Sequence, residues 1–298
     1  MTKISICLCT KDRQEGLIKL LTSLDEMEII PDLDIRIIVV ENDTENRTEK
    51  IIREFSAKSK LSISYFLETE KGLVFARNRS VKEAVNCEFC CFTDDDQIVP
   101  RDWLTELLRC QKEYNAAAVA GPTYPIFRQD VPAYINEFHS PKIYPYGTIV
   151  KSAYTGCLLV KKEYLDLIDG PFDKRLNFTG GEDIYLTHLI TDLGGEIRFN
   201  PNAIAYEIVP ENRATIKYVI KRAYRTANTG LYVNSLKHGK KVKLKALPRL
   251  FMRFGNGSIL FLPFLIFGGK NKLKGLIKIV KAIGGLHCAL GIRNQFYK

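Results

Sequence analysis

Apolar residues come in short unbroken runs alternating with stretches where they recur every three or four positions. Residues 4–9 form the first run and predict a strand, with Thr10-Lys11-Asp12-Arg13 as the turn after it. Leu17, Leu20, Leu21 and Leu24 then repeat at helical spacing. Residues 35–40 read as a second buried strand ending in the polar Glu41-Asn42-Asp43-Thr44. A helix over about 48–58 follows, with Ile51, Ile52 and Phe55 turned inward. Residues 63–67 give a third strand, and Gly72 opens a helix over about 73–85. Phe89-Cys90-Cys91-Phe92-Thr93 is a fourth strand, closed by Asp94-Asp95-Asp96. Strands alternating with helices at this spacing imply βαβ units and a mainly parallel sheet in an α/β fold.

Beyond a helix at 102–114 and a strand at 117–120 the pattern loosens. Residues 122–150 carry Pro122, Pro125, Pro132, Pro141 and Pro145 among many aromatics, and are expected to form an ordered functional loop region. The aromatic rings there suit stacking on a sugar or acceptor, and equally suit hydrophobic padding. Regularity returns with a strand at 156–160, a helix at 184–193 entered through Thr179-Gly180-Gly181-Glu182-Asp183, a strand at 203–207 and a long helix at 215–236.

The net charge of +10 conceals a division of the chain. From Asn212 to Lys298 there are 19 Lys/Arg and no Asp or Glu, while 25 basic and 34 acidic residues precede them; the two stretches carry −9 and +19. The expected organisation is a catalytic domain at 1–211 and a basic, amphipathic helical region at 212–298 that associates with an anionic membrane surface. Within the latter, Ile216, Val219, Ile220, Ala223, Ala227 and Leu231 share one helical face, as do Leu273, Leu276, Ile277, Val280 and Ile283. The run 259–267 is read as dipping into an interface, since it is too short to span a bilayer. The alternative is a helical appendage packed on the protein itself. Nucleic acid is not expected as a partner, for want of a recognised binding pattern. The start of the chain runs directly into a core strand, which argues against a signal peptide. The eight cysteines sit mostly in apolar elements and read as buried free thiols. These features together imply a protein of the cytoplasm, peripheral on the inner face of the cell membrane.

Candidate chemistry lies at the strand ends, where ligands bind in open α/β sheets. No Gly-x-Gly-x-x-Gly or Walker lysine motif accompanies these turns, which disfavours a dinucleotide dehydrogenase or a phosphate-loop ATPase. In extended chain Asp94 and Asp96 would share a face and Asp95 would oppose them. A hard divalent cation, Mg²⁺ or Mn²⁺, would relieve the repulsion of such a pair and bridge it to phosphates. A solvated loop with one Asp capping the next helix is the plainer reading. Asp12 and the Glu41-Asn42-Asp43 cluster suit hydrogen bonds to a base and a ribose, or simple turn chemistry. Arg77 is placed to meet a diphosphate, whereas Arg79 has Glu83 as a surface partner. Gly180-Gly181 delivers Glu182 and Asp183 to a helix N-terminus, where a cap needs only one acid.

In this order, Val39-Val40-Glu41-Asn42-Asp43, Gly72 to Arg79, Asp94-Asp95-Asp96 and Gly181-Glu182-Asp183 resemble the motifs of the family 2 glycosyltransferases, over roughly three quarters of the chain. The resemblance implies a GT-A, Rossmann-like fold with a mixed, mainly parallel sheet flanked by helices. It also implies inverting, metal-dependent transfer from a nucleoside-diphosphate sugar, a UDP-sugar first among them, to a glycan or lipid-linked acceptor. Carried over, Asp183 is the catalytic base and Glu182 orients acceptor or sugar. Thr10, Asp12, Arg13, Glu41, Asp43, Arg77, Arg79, Asp94 and Asp95 surround the nucleotide, and Asp96 holds the metal. Two positions depart from the family pattern. Glu41 stands where an Asp is usual, and Glu207 stands where many relatives have a metal-binding His. The alternatives are a sugar nucleotidyltransferase, which lacks an evident glycine-rich basic loop here, and a non-catalytic membrane-bound scaffold of the same fold.

Overall fold

The computed structural model describes residues 1–28, 31–267 and 271–294, without the side chains of 260–267 and 271–272. Two compact units emerge. The first comprises Met1–Asp130, His139–Asn177 and Glu182–Val209, and the second comprises Val131–Phe138, Phe178–Gly181 and Pro210–Lys298.

The first unit begins as the apolar runs dictate: β1 (Thr2–Thr10), α1 (Gln14–Asp25), β2 (Leu33–Glu41), α2 (Glu49–Ser56), β3 (Ser62–Leu67), α3 (Leu73–Glu83) and β4 (Phe89–Phe92). It continues with β5 (Gln97–Ile98), α4 (Trp103–Tyr114), β6 (Ala118–Ala120) and β7 (Thr123–Phe127). After α5 (Ala133–His139), which lies almost wholly in the second unit, come β8 (Thr148–Ile149), β9 (Leu158–Lys161), α6 (Lys162–Asp166), α7 (Glu182–Asp192), β10 (Ile197–Phe199) and β11 (Ala205–Val209). The main sheet has the order β3-β2-β1-β4-β9-β6-β10-β8, and a small second sheet has the order β5-β11-β7. Strands β3, β2, β1 and β4 are parallel to one another, β9 runs antiparallel between β4 and β6, and β10 is parallel to β6.

Strand alternation assigns the two cores. Ile4, Ile6 and Leu8 of β1 face α1 (Leu17, Leu20, Leu21, Leu24) and α4 (Trp103, Leu104, Leu107). Cys7 turns the other way, into a core with Val74, Ala76 and Val81 of α3 and Leu186 and Ile190 of α7. Helices thus cover both faces of a sheet whose central strands are largely apolar, as parallel sheets require. All eight cysteines are free thiols.

The expected loop region at 122–150 is more regular than its prolines suggest. It contains β7, α5 and β8. Pro125 is tolerated because β7 is an edge strand, where a missing N–H costs no ladder bond.

The second unit is built on α8 (Ile216–His238), α9 (Lys241–Phe267) and α10 (Asn271–Ala289). Close approach of α10 to its neighbours is allowed by glycine. A Cβ on Gly284 would stand 2.4 Å from the Tyr224 carbonyl oxygen, and one on Gly257 would stand 2.8 Å from Ile279 Cγ1. Asn228 Nδ2 donates to the carbonyls of Gly284 (2.9 Å) and Ile292 (3.0 Å), locking α8 to α10 and the segment after it. Val219 and Ala223 of α8 and Ala282 of α10 are fully buried, so these faces spend much of their apolar surface on packing. Among the described residues no helix is long and apolar enough to cross a membrane. The apolar run expected at 259–267 falls, apart from Ile259, on side chains outside the described residues.

Candidate active site at the carboxyl ends of the strands

Parallel pairing in register, Thr10 beside Glu41 and Cys7 beside Phe92, brings the polar turns after β1, β2 and β4 to one edge. The Asp94–Asp96 segment is not extended as the alternation argument assumed. The chain turns at Asp95 and Asp96 before entering β5. Asp95 is buried, and the turn brings Asp96 toward the same partner instead of leaving it with Asp94. Arg13 donates from one terminal nitrogen to Asp95 Oδ1 at 2.8 Å and Asp96 Oδ2 at 2.9 Å, and Thr10 Oγ1 donates to Asp95 Oδ2 at 2.8 Å. Burial pushes the Asp95 carboxyl up to about 6 against the pull of Arg13. Asp95 therefore holds the turn together. A side chain on Gly16 would put its Cβ 2.6 Å from the Asp95 carbonyl oxygen, so α1 can meet this turn only through glycine.

Asp94 leads in the opposite direction. Its Oδ1 accepts from Arg77 at 3.2 Å, and Arg77 donates its other terminal nitrogen to Glu182 Oε1. Arg77 and Glu182 are each 6% exposed, whereas the Asp94 side chain is 43% exposed. Burial opposes the charge of Arg77, but Glu182 and then Asp94 hold it more firmly protonated than usual. The guanidinium also lies 5.6 Å from the centre of the Phe172 ring. Next to Glu182, Asp183 accepts from the Ile184 N–H at 2.7 Å. Burial, then the neighbouring Glu182, push its carboxyl up to about 7, with Arg77 pulling it down. A carboxylate with a pKa close to working pH has the property a general base needs.

The other sequence-derived residues divide. Asp12, in the left-handed region at φ 52°, is exposed, and Asp43 is half-buried. Asp12 accepts from Arg47 at 3.3 Å, and the Thr44 N–H holds the Asp43 carboxyl below its usual range. Glu41 is 1% exposed and spends its carboxylate on the hydroxyl and N–H of Thr48 and on the Tyr65 hydroxyl at 2.6 Å. It braces the entry to α2 instead of facing a nucleoside. Arg79 pairs with Glu83 at 2.7 Å and lies over Phe66, two residues and so about 200° around α3 from Arg77. Glu207 follows β5 in register opposite Gln97, and the Ile208 N–H donates to the Asp96 carbonyl at 2.8 Å, so Glu207 runs alongside the aspartate turn.

Several residues shape the site through contacts that nothing local in the sequence announces. Asn42 donates to the carbonyls of Glu68 (3.1 Å) and Glu70 (2.8 Å) and accepts from the Gly72 N–H (2.8 Å), which ties the end of β2 to the start of α3. Asn177 donates to the Lys71 carbonyl at 3.0 Å, and fills the space a Gly72 side chain would need. Gln97 accepts from Thr93 Oγ1 at 2.7 Å and from the Asp94 N–H at 3.2 Å. Gly156 completes the wall: a Cβ there would lie 2.6 Å from Gln97 Nε2 and 3.4 Å from Asp94 Oδ2.

The residues that the sequence assigns to a metal, Asp96 and Glu207, offer oxygen donors only. This suits a hard cation and not zinc. Among the described residues no group of three or more His, Cys, Asp or Glu closes a metal cage. A Mg²⁺-type ion does not ask for one, because it is held by one or two carboxylates together with substrate phosphates and water. The residues present fit a cation that arrives with a diphosphate.

Known proteins resemble this chain in sequence and in fold. The model of a family described as "Glycosyl transferase family 2" matches residues 5–165. The succinoglycan biosynthesis protein ExoM of Rhizobium meliloti (strain 1021) is 31% identical over 246 residues, 82% of this chain and 76% of that protein. A mannosyltransferase from Pyrobaculum calidifontis, solved with GDP-Man and Mn²⁺, superposes with a TM-score of 0.63 at 17% identity, covering 96% of this chain and 86% of that one. The 1-349 fragment of S. aureus TarS gives 0.56 at 15% identity, covering 95% and 91%.

Proposed function

The chain belongs to glycosyl transferase family 2 and has that family's GT-A fold, and on this basis we propose that it moves a sugar from a nucleoside-diphosphate donor to a hydroxyl of a lipid-linked or polysaccharide acceptor, with inversion at the anomeric carbon. The structural relatives were solved with UDP, UDP-GlcNAc or GDP-Man, and ExoM is named for polysaccharide biosynthesis, which supports a donor and product of this kind. The observation that carries the reading is the Asp94–Arg77–Glu182 chain beside Asp183, whose carboxyl is tuned to about 7.

Asp183 takes the proton from the acceptor hydroxyl as that oxygen attacks the anomeric carbon. The bond from that carbon to the diphosphate oxygen breaks in the same displacement, and the nucleoside diphosphate departs. Glu182, fixed by Arg77, keeps a negative charge next to Asp183 and so favours the proton it accepts. Arg77 limits that rise and holds Asp94 at the mouth of the crevice. Asp96 and Glu207 would hold a divalent cation, which when bound supplies neutralisation of the diphosphate charge, with Asp94 toward the nucleotide. Asp95, Arg13 and Thr10 keep the aspartate turn in shape. The exposed Asp12 and the half-buried Asp43 line the rim where the nucleoside would enter. We place the activity at the cytoplasmic membrane face, the anionic surface that the charge of the C-terminal region suits.

The test is incubation with a panel of UDP- and GDP-sugars and Mn²⁺. Release of nucleoside diphosphate is expected. Formation of a nucleoside triphosphate and a sugar 1-phosphate when pyrophosphate is added would instead identify a nucleotidyltransferase.

A further inference from the structure

The sequence assigns lipid contact to the apolar faces of α8 and α10 and to the run 259–267 on α9, yet much of the first two is consumed in packing. Helix α9 differs. Leu250 and Gly257, seven residues apart, face α10: Leu250 Cδ2 lies 2.5 Å from a Cβ placed on Gly285, and Gly257 abuts Ile279. The opposite side carries Leu244, Phe251, Met252 and Ile259, exposed by 68%, 62%, 66% and 69%. Their spacing puts them in one stripe about 100° wide, with Pro248 and Gly255 between them. Along one flank run Lys245, Arg249 and Arg253, each four residues from the next and each exposed.

We infer that this side of α9 is the surface by which the protein lies on an anionic lipid bilayer, with the apolar stripe among the acyl chains and the Lys245–Arg249–Arg253 row at the head groups. An exposed stripe of large apolar side chains bordered by cations is the pattern of an interfacial helix. The other occupants fit less well. A second copy docked through α9 would set one cationic row against another, in a region with no acidic residue after Glu211 to compensate. Nucleic acid would satisfy the cations but leave four large apolar side chains against polar backbone. The inference deepens the membrane-surface reading above by assigning it to one helix face.

The test uses the full chain and sedimentation with vesicles of phosphatidylglycerol and phosphatidylcholine in equal parts, against phosphatidylcholine alone. Two variants accompany the wild type: Phe251→Ser with Met252→Ser, and Lys245→Gln with Arg249→Gln and Arg253→Gln. All five side chains are exposed, so the variants keep their fold, checked by circular dichroism. The wild type should bind only the anionic vesicles, and each variant should bind about a hundredfold more weakly. Undiminished binding by the Phe251/Met252 variant would overturn the assignment, as would equal binding to both vesicle types. A concentration-dependent dimer abolished by Phe251→Ser would also overturn it, in favour of self-association. Donor turnover in solution is read on the same preparations. A chain that binds vesicles selectively but turns over no donor fails the catalytic reading and not this one.

Discussion

Asp183→Asn separates catalytic from structural roles more sharply than any other substitution, because the site itself makes the charge on Asp183 costly. The carboxyl stands at about 7 in the fold against 3.8 when unperturbed. A carboxyl raised in this way favours folding below pH 3.8, and that contribution is lost as pH rises toward 7, after which the ionised form is carried at full cost. Three pKa units correspond to at most about 4 kcal/mol, and sharing of the charge through Glu182 and Arg77 reduces the effect of substitution to about 1–3 kcal/mol. Asparagine keeps the size of the side chain and an oxygen for the Ile184 N–H, but carries no charge and accepts no proton at neutral pH. The variant should therefore be more stable than wild type at pH 8 by that amount, and the gap should narrow by about 1–2 kcal/mol at pH 5. Transfer should fall by about 10²–10⁴ while donor affinity changes only a few-fold. Urea denaturation at the two pH values, with calorimetry for the donor and product formation for transfer, reads all three quantities on one preparation. A variant that is less stable at pH 8, or that retains near-wild-type transfer, would refute the reasoning and make Glu182 the candidate base.

Other outcomes follow from the same contacts. Arg77→Met leaves Glu182 buried without its partner and should cost about 3–5 kcal/mol by urea denaturation, with the pH midpoint of any residual activity moving upward as Asp183 loses its nearby cation. Asp96→Ala should remove the Mn²⁺ dependence of donor affinity measured by calorimetry, whereas Glu207→Ala should weaken it less, since water can replace one ligand in such a shell. Glu41→Gln should destabilise by about 1–3 kcal/mol, through poorer acceptance from Thr48 and Tyr65, with donor affinity unchanged; a tenfold loss of affinity in a stably folded variant would return Glu41 to the nucleoside.

The first four strands were legible because parallel strands covered on both faces appear as continuous apolar runs, and helices between them repeat Leu, Ile and Val at helical spacing. Strand β10 was not, since Ile197-Arg198-Phe199 is three residues with a charge in the middle. β7 was hidden by Pro125, which only an edge position excuses. At the site, the motif residues were legible as types but not as contacts. Arg77 and Glu182 are 105 residues apart, and nothing local announces that one clamps the other or that the clamp reaches Asp94. Asp96 was assigned to the Asp94 side by strand alternation, which fails where the chain turns. Glu41 and Asn42 look like ligand-binding residues at a strand end, but the fold uses both to fasten neighbouring segments. The packed faces of α8 and α10 and the bare face of α9 have similar apolar content, and only packing distinguishes them.

The central claim is that Asp183 drives a single displacement at the anomeric carbon. Proton NMR of the product at early times, made from an α-linked nucleotide sugar in the presence of Mn²⁺, tests it most directly. A β-linked product formed together with nucleoside diphosphate is expected, and none above background from Asp183→Asn. An α-linked product would contradict it.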